Sequence, residues 1–329
     1  GLTGPITKWN YQIRRAEDVA WAVSRAFYIA STGRPGPVVL DFTKDAQVGL
    51  TDFEFRKCSF IRSYVPELPV PMEKVARAAE LIDKAERPMV VYGQGVILGG
   101  AEKALAEFIE KGDIPAASTL LGLAALPSSS RLYQGMIGMH GNVAPNIKTN
   151  ECDVLIAVGM RFDDRVTGTL SKYAKQAKVI HIDIDASEIG KIVPVEVGIN
   201  ANAAEVLPAL TSMIGARRRD AWVDSFSECA EIEREKVISR ELRPGGGHIR
   251  MGEVIDKVSE VTGGGAVIVT DVGQNQMMAA RYSRFNRTRS FISSGGLGTM
   301  GFGLPAAIGA KMGAPDRQVC LFVGDGGIQ

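Results

Sequence analysis

The sequence predicts an α/β protein built on doubly wound parallel sheets. Three observations carry that expectation. Apolar runs of strand length alternate with segments of helical periodicity. Several of these runs lead into loops rich in glycine, aspartate and arginine. One of them, Val319-Cys320-Leu321-Phe322-Val323, reads as a buried strand and ends in Gly324-Asp325-Gly326-Gly327. That places a carboxylate at the edge where open α/β sheets bind ligands.

The elements follow in order. Val19, Ala20, Val23, Phe27 and Ala30 give helical spacing over residues 16–31, and Gly33 is the expected stop. Arg34-Pro35-Gly36-Pro37 is a turn before the strand Val38–Phe42. One helix and one strand cannot close a core, so this opening is expected to be the tail of a domain. Residues 52–71, with prolines at 66, 69 and 71, read as a linker. An amphipathic helix starts at Met72 and stops before Pro88, with Val75, Ala78, Ala79 and Ile82 on its apolar face. Met89–Tyr92, Asp153–Val158 and Val179–Ile184 read as strands, with a helix over 101–111, in a second unit spanning 72–215. A long charged helix is expected over 220–242, and Pro244-Gly245-Gly246-Gly247 ends it. The third unit has a helix over 251–261 and strands at 266–270, 289–293 and 319–323.

Composition narrows the function. A chain of 329 residues, 45% hydrophobic and with a net charge of +1, can fill two or three cores and gives no electrostatic hint of nucleic acid. Arg217-Arg218-Arg219 is the one basic cluster; it reads as a solvated linker, with an anion patch as the other reading. Four dispersed cysteines form no zinc pattern and fit a reducing compartment, with Cys152 and Cys320 as core thiols. No run of eighteen apolar residues and no signal peptide is present, so no membrane span is expected. The expected location is cytoplasmic. The opening Gly1-Leu2-Thr3-Gly4-Pro5 reads as the middle of a protein, which leaves an organellar address open.

Five strand-end loops could carry chemistry. Gly93-Gln94-Gly95, with Gly99-Gly100 opening the next helix, is either a phosphate loop or a tight strand-to-helix turn. Gly159-Met160-Arg161-Phe162-Asp163-Asp164-Arg165 puts two arginines past a buried strand, as a pyrophosphate site or as a surface ion-pair cluster. Asp271-Val272-Gly273-Gln274-Asn275-Gln276 follows another buried strand in the same domain as Asp325, and its amides and side chains could converge on the same phosphate. The run from Ser293 to Pro305 holds five glycines in the nine positions 295–303, which packing alone rarely asks for. Asp325, flanked by glycine, suits a hard cation such as Mg²⁺, or is a turn aspartate. Of the three histidines, His181 reads as structural and His248 as exposed. His140 lies in a glycine-containing loop, and no triad is visible.

Together these stretches resemble the thiamine-diphosphate enzymes, and closely the acetolactate (acetohydroxyacid) synthase catalytic subunits. The resemblance runs in the family's order through Ser31-Thr32-Gly33-Arg34-Pro35-Gly36-Pro37, Gly138-Met139-His140-Gly141, Arg161-Phe162-Asp163-Asp164-Arg165 and His181-Ile182-Asp183-Ile184-Asp185. It continues through Gly273-Gln274-Asn275-Gln276-Met277 and the run from Ser294 to Pro305. It implies three domains: residues 1–50 as the tail of a pyrimidine-binding domain, 51–71 as linker and 72–215 as a central FAD-binding domain. Residues 216–247 would then be a linker helix, and 248–329 the first part of a diphosphate-binding domain. It further implies that Arg34, Gly93, Gly95, Thr119, Leu120, Met139, His140, Gly159, Arg161, Asp163, Arg165, Asp183 and Ile184 bind FAD. Gly273, Gln274, Asn275, Gly298, Gly326 and Gly327 would hold thiamine diphosphate, and Asp325 its Mg²⁺. Met300 would be the bulky residue under the thiazolium ring, in a catalytic role. Asn275 stands where the family often has histidine, and an amide still donates to phosphate.

The implied reaction decarboxylates pyruvate and joins the two-carbon unit to a second 2-keto acid, in branched-chain amino acid synthesis. The resemblance also implies a homodimer or homotetramer and a possible small regulatory subunit. The family's catalytic glutamate would precede residue 1 and its second side-chain Mg²⁺ ligand would follow residue 329, so the 329-residue chain alone is expected to form no acetolactate. The rival readings are another FAD-containing carboligase such as glyoxylate carboligase, a flavin-binding fragment without turnover, and an α/β scaffold whose glycine loops merely turn.

Overall fold

A computed structural model describes residues 1–329, and the chain divides into two compact units, Gly1–Pro69 and Val70–Gln329. The first contains β1 (Trp9–Ile13), α1 (Asp18–Ser31), β2 (Val38–Phe42) and α2 (Lys44–Val48). β1 and β2 pair in parallel. This corrects the expectation of a single strand: Trp9, Tyr11 and Ile13 alternate with polar residues, a period-two signal for a half-buried strand. Ile13, Ala22 and Ala46 form the small core between the elements. α1 closes as its spacing predicts, and Gly33 takes φ 62°, the left-handed turn that ends many helices.

In the second unit a six-stranded sheet comes first. Its elements are α3 (Met72–Lys84), β3 (Pro88–Tyr92), α4 (Gln94–Leu98), α5 (Glu102–Gly112), β4 (Ala116–Ser118), β5 (Tyr133–Met136) and α6 (Val143–Lys148). They continue with β6 (Val154–Val158), α7 (Asp164–Thr167), β7 (Lys178–Asp183), β8 (Val197–Asn200) and α8 (Ala203–Met213). All pairings are parallel, in the order β5-β4-β3-β6-β7-β8. β3 and β6 are buried along their whole length, as parallel strands covered on both faces must be. Their alternate residues split between two cores, with Val90 and Ile156 on one face and Met89 and Leu155 on the other. α3 buries the four residues its periodicity picks out. The loop after β3 differs from expectation. The next helix starts at Gln94 rather than at Gly99-Gly100, because Gly93 already serves as its N-cap.

The long charged helix expected over 220–242 is α9 (Asp220–Glu233), a π turn at Arg234–Ile238, and α10 (Ser239–Leu242), so it is interrupted once. The solvated reading of Arg217–Arg219 holds for the first two residues and fails for the third. Arg219 is buried and donates to the carbonyls of Ile82, Ala85 and Gly112, which end α3 and α5. Helix C-termini leave carbonyls without partners, and a guanidinium with five donors can satisfy several at once.

The last region holds α11 (Met251–Val261), β9 (Val267–Thr270), α12 (Gln274–Tyr282), β10 (Phe291–Ser293), α13 (Gly303–Gly313), β11 (Val319–Phe322) and α14 (Asp325–Ile328). Its three strands are parallel, in the order β10-β9-β11. β9 is central and fully buried. β11 was expected to be buried and is half-buried, and Cys320 with it, because it lies at a sheet edge with a neighbour on one side only.

Candidate functional site

The order of the six-stranded sheet reverses between β3 and β6, the strands from which the chain grows outward in both directions. Ligands of open α/β sheets bind beyond the carboxyl ends at such a point. Here two glycine loops meet there, main chain against main chain. A Cβ on Gly93 would lie 2.4 Å from the Gly159 carbonyl oxygen, and one on Gly95 would lie 2.6 Å from Gly159 Cα. Gly159 itself has φ 57°. No side chain fits at any of the three positions. Their N–H groups are already used: Gly93 donates to Val158, Gly95 to Gly159 and Gly159 to Ile182. These glycines therefore let the two loops pack main chain on main chain, as a tight strand-to-helix turn does, rather than supply a set of phosphate donors.

The rim comes from the neighbouring strand ends. Thr119 and Leu120 follow β4, and Thr119 N–H donates to the Tyr92 carbonyl at 2.8 Å. Met139 and His140 follow β5 and are exposed; Met139 N–H donates to the Arg165 carbonyl at 2.8 Å. After β6, Phe162 is buried at φ 54°, a strained conformation for a large residue. Its ring packs edge-on against Tyr173 and His181, which leaves Arg161 and Asp163 facing outward on either side. Asp163 caps α7 by accepting the Arg165 N–H at 3.0 Å. Arg161–Asp163 (3.8 Å) and Arg165–Asp164 (3.6 Å) are long, exposed ion pairs. Such pairs hold their partners weakly, so both guanidinium groups can turn to an anionic ligand. Asp183 ends β7 and accepts the Asp185 N–H, while the Asp183 and Ile184 carbonyls accept from Asn200. Every candidate of this sheet lies at its carboxyl edge. Arg34 lies in the Gly1–Pro69 unit, in the turn after α1.

The three histidines agree with their sequence reading. His181 is buried, with Nε2 2.9 Å from the Met160 carbonyl oxygen, and burial lowers its pKa. His140 and His248 are exposed.

The second cluster lies at the carboxyl edge of the three-stranded sheet. Gly273, at φ 120°, opens α12, and Gln274 and Asn275 fill its first turn. Asn275 Oδ1 is buried without a partner, and its Nδ2 makes only a 3.4 Å bond to the Val272 carbonyl. Gly298 has φ 67° beside Val272. The Met300 side chain is exposed, and its Cε lies 2.9 Å from where a Cβ on Gly326 would stand. Asp325 is the exposed first residue of α14. No group of three His, Cys, Asp or Glu side chains is placed to hold a metal, so Asp325 stands as a lone carboxylate.

One residue at this edge is expected only as part of a phosphate-binding loop, and the structure gives it a separate place. Asp271, directly after β9, is buried and accepts N–H groups from Val272 (2.9 Å), Gly301 (3.3 Å) and Gly303 (2.7 Å). Burial pushes its pKa up, but the three hydrogen bonds outweigh that and hold it below the usual carboxylate value. Its signal was an acid placed at the end of a buried strand, the same signal that singled out Asp325.

Comparison with known proteins gives two family matches. Residues 75–210 match the central domain of thiamine pyrophosphate enzymes, and residues 271–329 match their C-terminal TPP-binding domain. The chain is 41% identical to the acetolactate synthase large subunit of Lactococcus lactis, with 100% of the chain and 56% of that protein covered. It is 38% identical to the large subunit from Haemophilus influenzae, with 100% of the chain and 58% of that protein covered. It is 41% identical to a probable acetolactate synthase large subunit of Methanocaldococcus jannaschii, with 99% of the chain and 56% of that protein covered. The chain thus spans a little over half the length of the curated relatives it matches.

Proposed function

The chain belongs to the thiamine pyrophosphate enzymes, and from that premise we propose that it is part of an acetolactate synthase, which decarboxylates pyruvate and joins the two-carbon unit to a second 2-keto acid. One observation carries the reading. Gly273–Asn275, Met300 and Asp325–Gly327, distant in sequence, converge at the carboxyl edge of one parallel sheet. The residues fit thiamine diphosphate. The Asn275 amide has a buried oxygen without a partner, and amide O and N assignments are interchangeable. A Cβ on Gly326 would fill the space beside Met300. When bound, thiamine diphosphate supplies the electron sink for decarboxylation. Gly273, Gln274, Asn275, Gly298, Gly326 and Gly327 hold the diphosphate. Asp325 contributes one carboxylate to Mg²⁺, a cation that usually takes one or two carboxylates together with phosphate oxygens. Met300 sets the apolar shape against which the ring system rests.

FAD is proposed for the crevice of the six-stranded sheet. Gly93, Gly95 and Gly159 form its floor. Thr119, Leu120, Met139, His140, Arg161, Asp163, Arg165, Asp183 and Ile184 form its rim. The side-chain-free contact of the two glycine loops and the two weakly paired arginines are what fit this group. A homodimer or homotetramer, a small regulatory subunit and a cytoplasmic location complete the proposal. No helix is long and apolar enough to cross a membrane. The names of the relatives favour this reading over glyoxylate carboligase or a flavin-binding fragment without turnover.

Equilibrium dialysis tests the central claim. Thiamine diphosphate should bind in the presence of Mg²⁺ and not in EDTA, and Asp325→Ala should weaken binding by at least about tenfold, as loss of a metal ligand does. Equal binding with and without Mg²⁺, or an unchanged Asp325→Ala variant, overturns it.

A further inference from the structure

Asp271 makes no ion pair although it is buried at the end of the central strand β9. Its charge is held by main-chain donors alone. Oδ1 accepts from Val272 and Gly301, and Oδ2 from Gly303, the first residue of α13. The third strand-end loop also closes on it, since a Cβ on Gly327 would lie 2.6 Å from Oδ1. One carboxylate therefore touches the loops that follow β9, β10 and β11.

The loop after β10 needs such an anchor. Its five glycines leave the backbone many conformations to lose. Met300 sits within it, exposed and resting against Gly326. Gly301, the next residue, is at φ 82° and is itself exposed. The bonds to Asp271 secure the chain one and three residues after Met300, from the most buried strand of the sheet. A carboxylate suits the task because it accepts several N–H bonds at once, which an amide oxygen does less strongly.

We propose that Asp271 is a positioning residue that holds the Met300 turn against the Gly324–Gly327 loop and so sets the shape of the crevice between them. What fills the crevice rests on the thiamine-diphosphate reading, and the experiment separates the two claims. In the full chain labelled with [methyl-¹³C]methionine, the Met300 signal is assigned with Met300→Leu. Asp271→Asn should shift or broaden that signal. Thr270→Val, one residue earlier on the same strand, removes a hydroxyl bonded to Ser293 and should leave it in place. An unchanged Met300 signal in a folded Asp271→Asn variant overturns the proposal.

If that variant does not fold, the wild-type chain still decides. Gly301 and Gly303 amides should exchange with solvent at least about tenfold more slowly than Gly296, whose amide has no such bond. Equal rates overturn the proposal. In a second arm, thiamine diphosphate and Mg²⁺ should bind Asp271→Asn about tenfold more weakly than wild type, the cost of a crevice no longer preorganised. Wild type that binds no thiamine diphosphate, with Met300 still controlled by Asp271, sinks the functional reading and leaves the positioning role standing.

Discussion

Arg219 carries more structural weight than its sequence context shows. Its guanidinium serves carbonyls at the ends of two helices, and its own N–H donates to the Asp113 carboxylate at 2.6 Å. Arg219→Ala leaves those carbonyls without partners in a buried place and should cost about 2–4 kcal/mol. Urea denaturation measures this, and a loss under about 0.5 kcal/mol would show that water replaces the side chain. His181 gives a pH signature. Burial lowers its pKa in the folded state. Above the unfolded value of about 6.5 neither state holds the proton, and the group contributes nothing to pH dependence. As pH falls below that value, only the unfolded chain takes up the proton, so stability drops until the folded pKa is reached. His181→Gln should flatten the fall in urea midpoint between pH 7 and pH 5. An equal fall in both proteins would assign the effect elsewhere. The three histidine environments followed from local pattern. The partners of Arg219 did not, because the carbonyls it serves lie more than 100 residues away.

At the scale of elements, the π turn after α9 marks a junction. Glu233, immediately before it, is buried and pairs with Arg281 of α12. The same carboxylate accepts the Val143 N–H at 2.9 Å, at the start of α6, while Arg281 donates to the Gly141 carbonyl at 2.9 Å. Three segments thus share one ion pair, and one of them leads from the Met139–His140 rim. Glu233→Ala leaves a mostly buried guanidinium without its counter-charge and should cost about 3 kcal/mol. Differential scanning calorimetry reads the loss, and an unchanged melting temperature would deny the pair this role. Elements with a strong pattern were legible: α3 by its apolar stripe, β3 and β6 by continuous apolar runs, β7 and β9 by runs rich in Val and Ile. β4, β5 and β8 were not. Ala116–Ser118, Tyr133–Met136 and Val197–Asn200 are short and carry small or polar residues, and only their neighbours in the sheet make them strands.

At the scale of the molecule, both candidate clusters lie at carboxyl edges of parallel sheets, and topology puts them there. The loops themselves could be picked out in the sequence by glycine beside charge. The convergence of the Asp271 and Asp325 loops was expected as well, but the contact of Gly93 and Gly95 with Gly159 was not, since strand order decides which loops are neighbours. Gly159 shows the dependence. Its left-handed backbone, and a Cβ that would sit 2.6 Å from Gly95 Cα, leave no room for a side chain. Gly159→Ala should destabilise the fold by about 1–3 kcal/mol and reduce FAD binding together with it. Visible absorbance of flavin retained through gel filtration is the measure, and full retention by the variant would move the flavin away from this crevice.

The same glycine contact has a consequence for selectivity. Where the two loops touch through main chain alone, no side chain is present to tell one ligand from another. Preference among nucleotide-like ligands must then be written into the perimeter, above all at Arg161, Arg165 and Asp183. An attempt to retune the proposed flavin crevice would begin with those side chains and leave the three glycines alone.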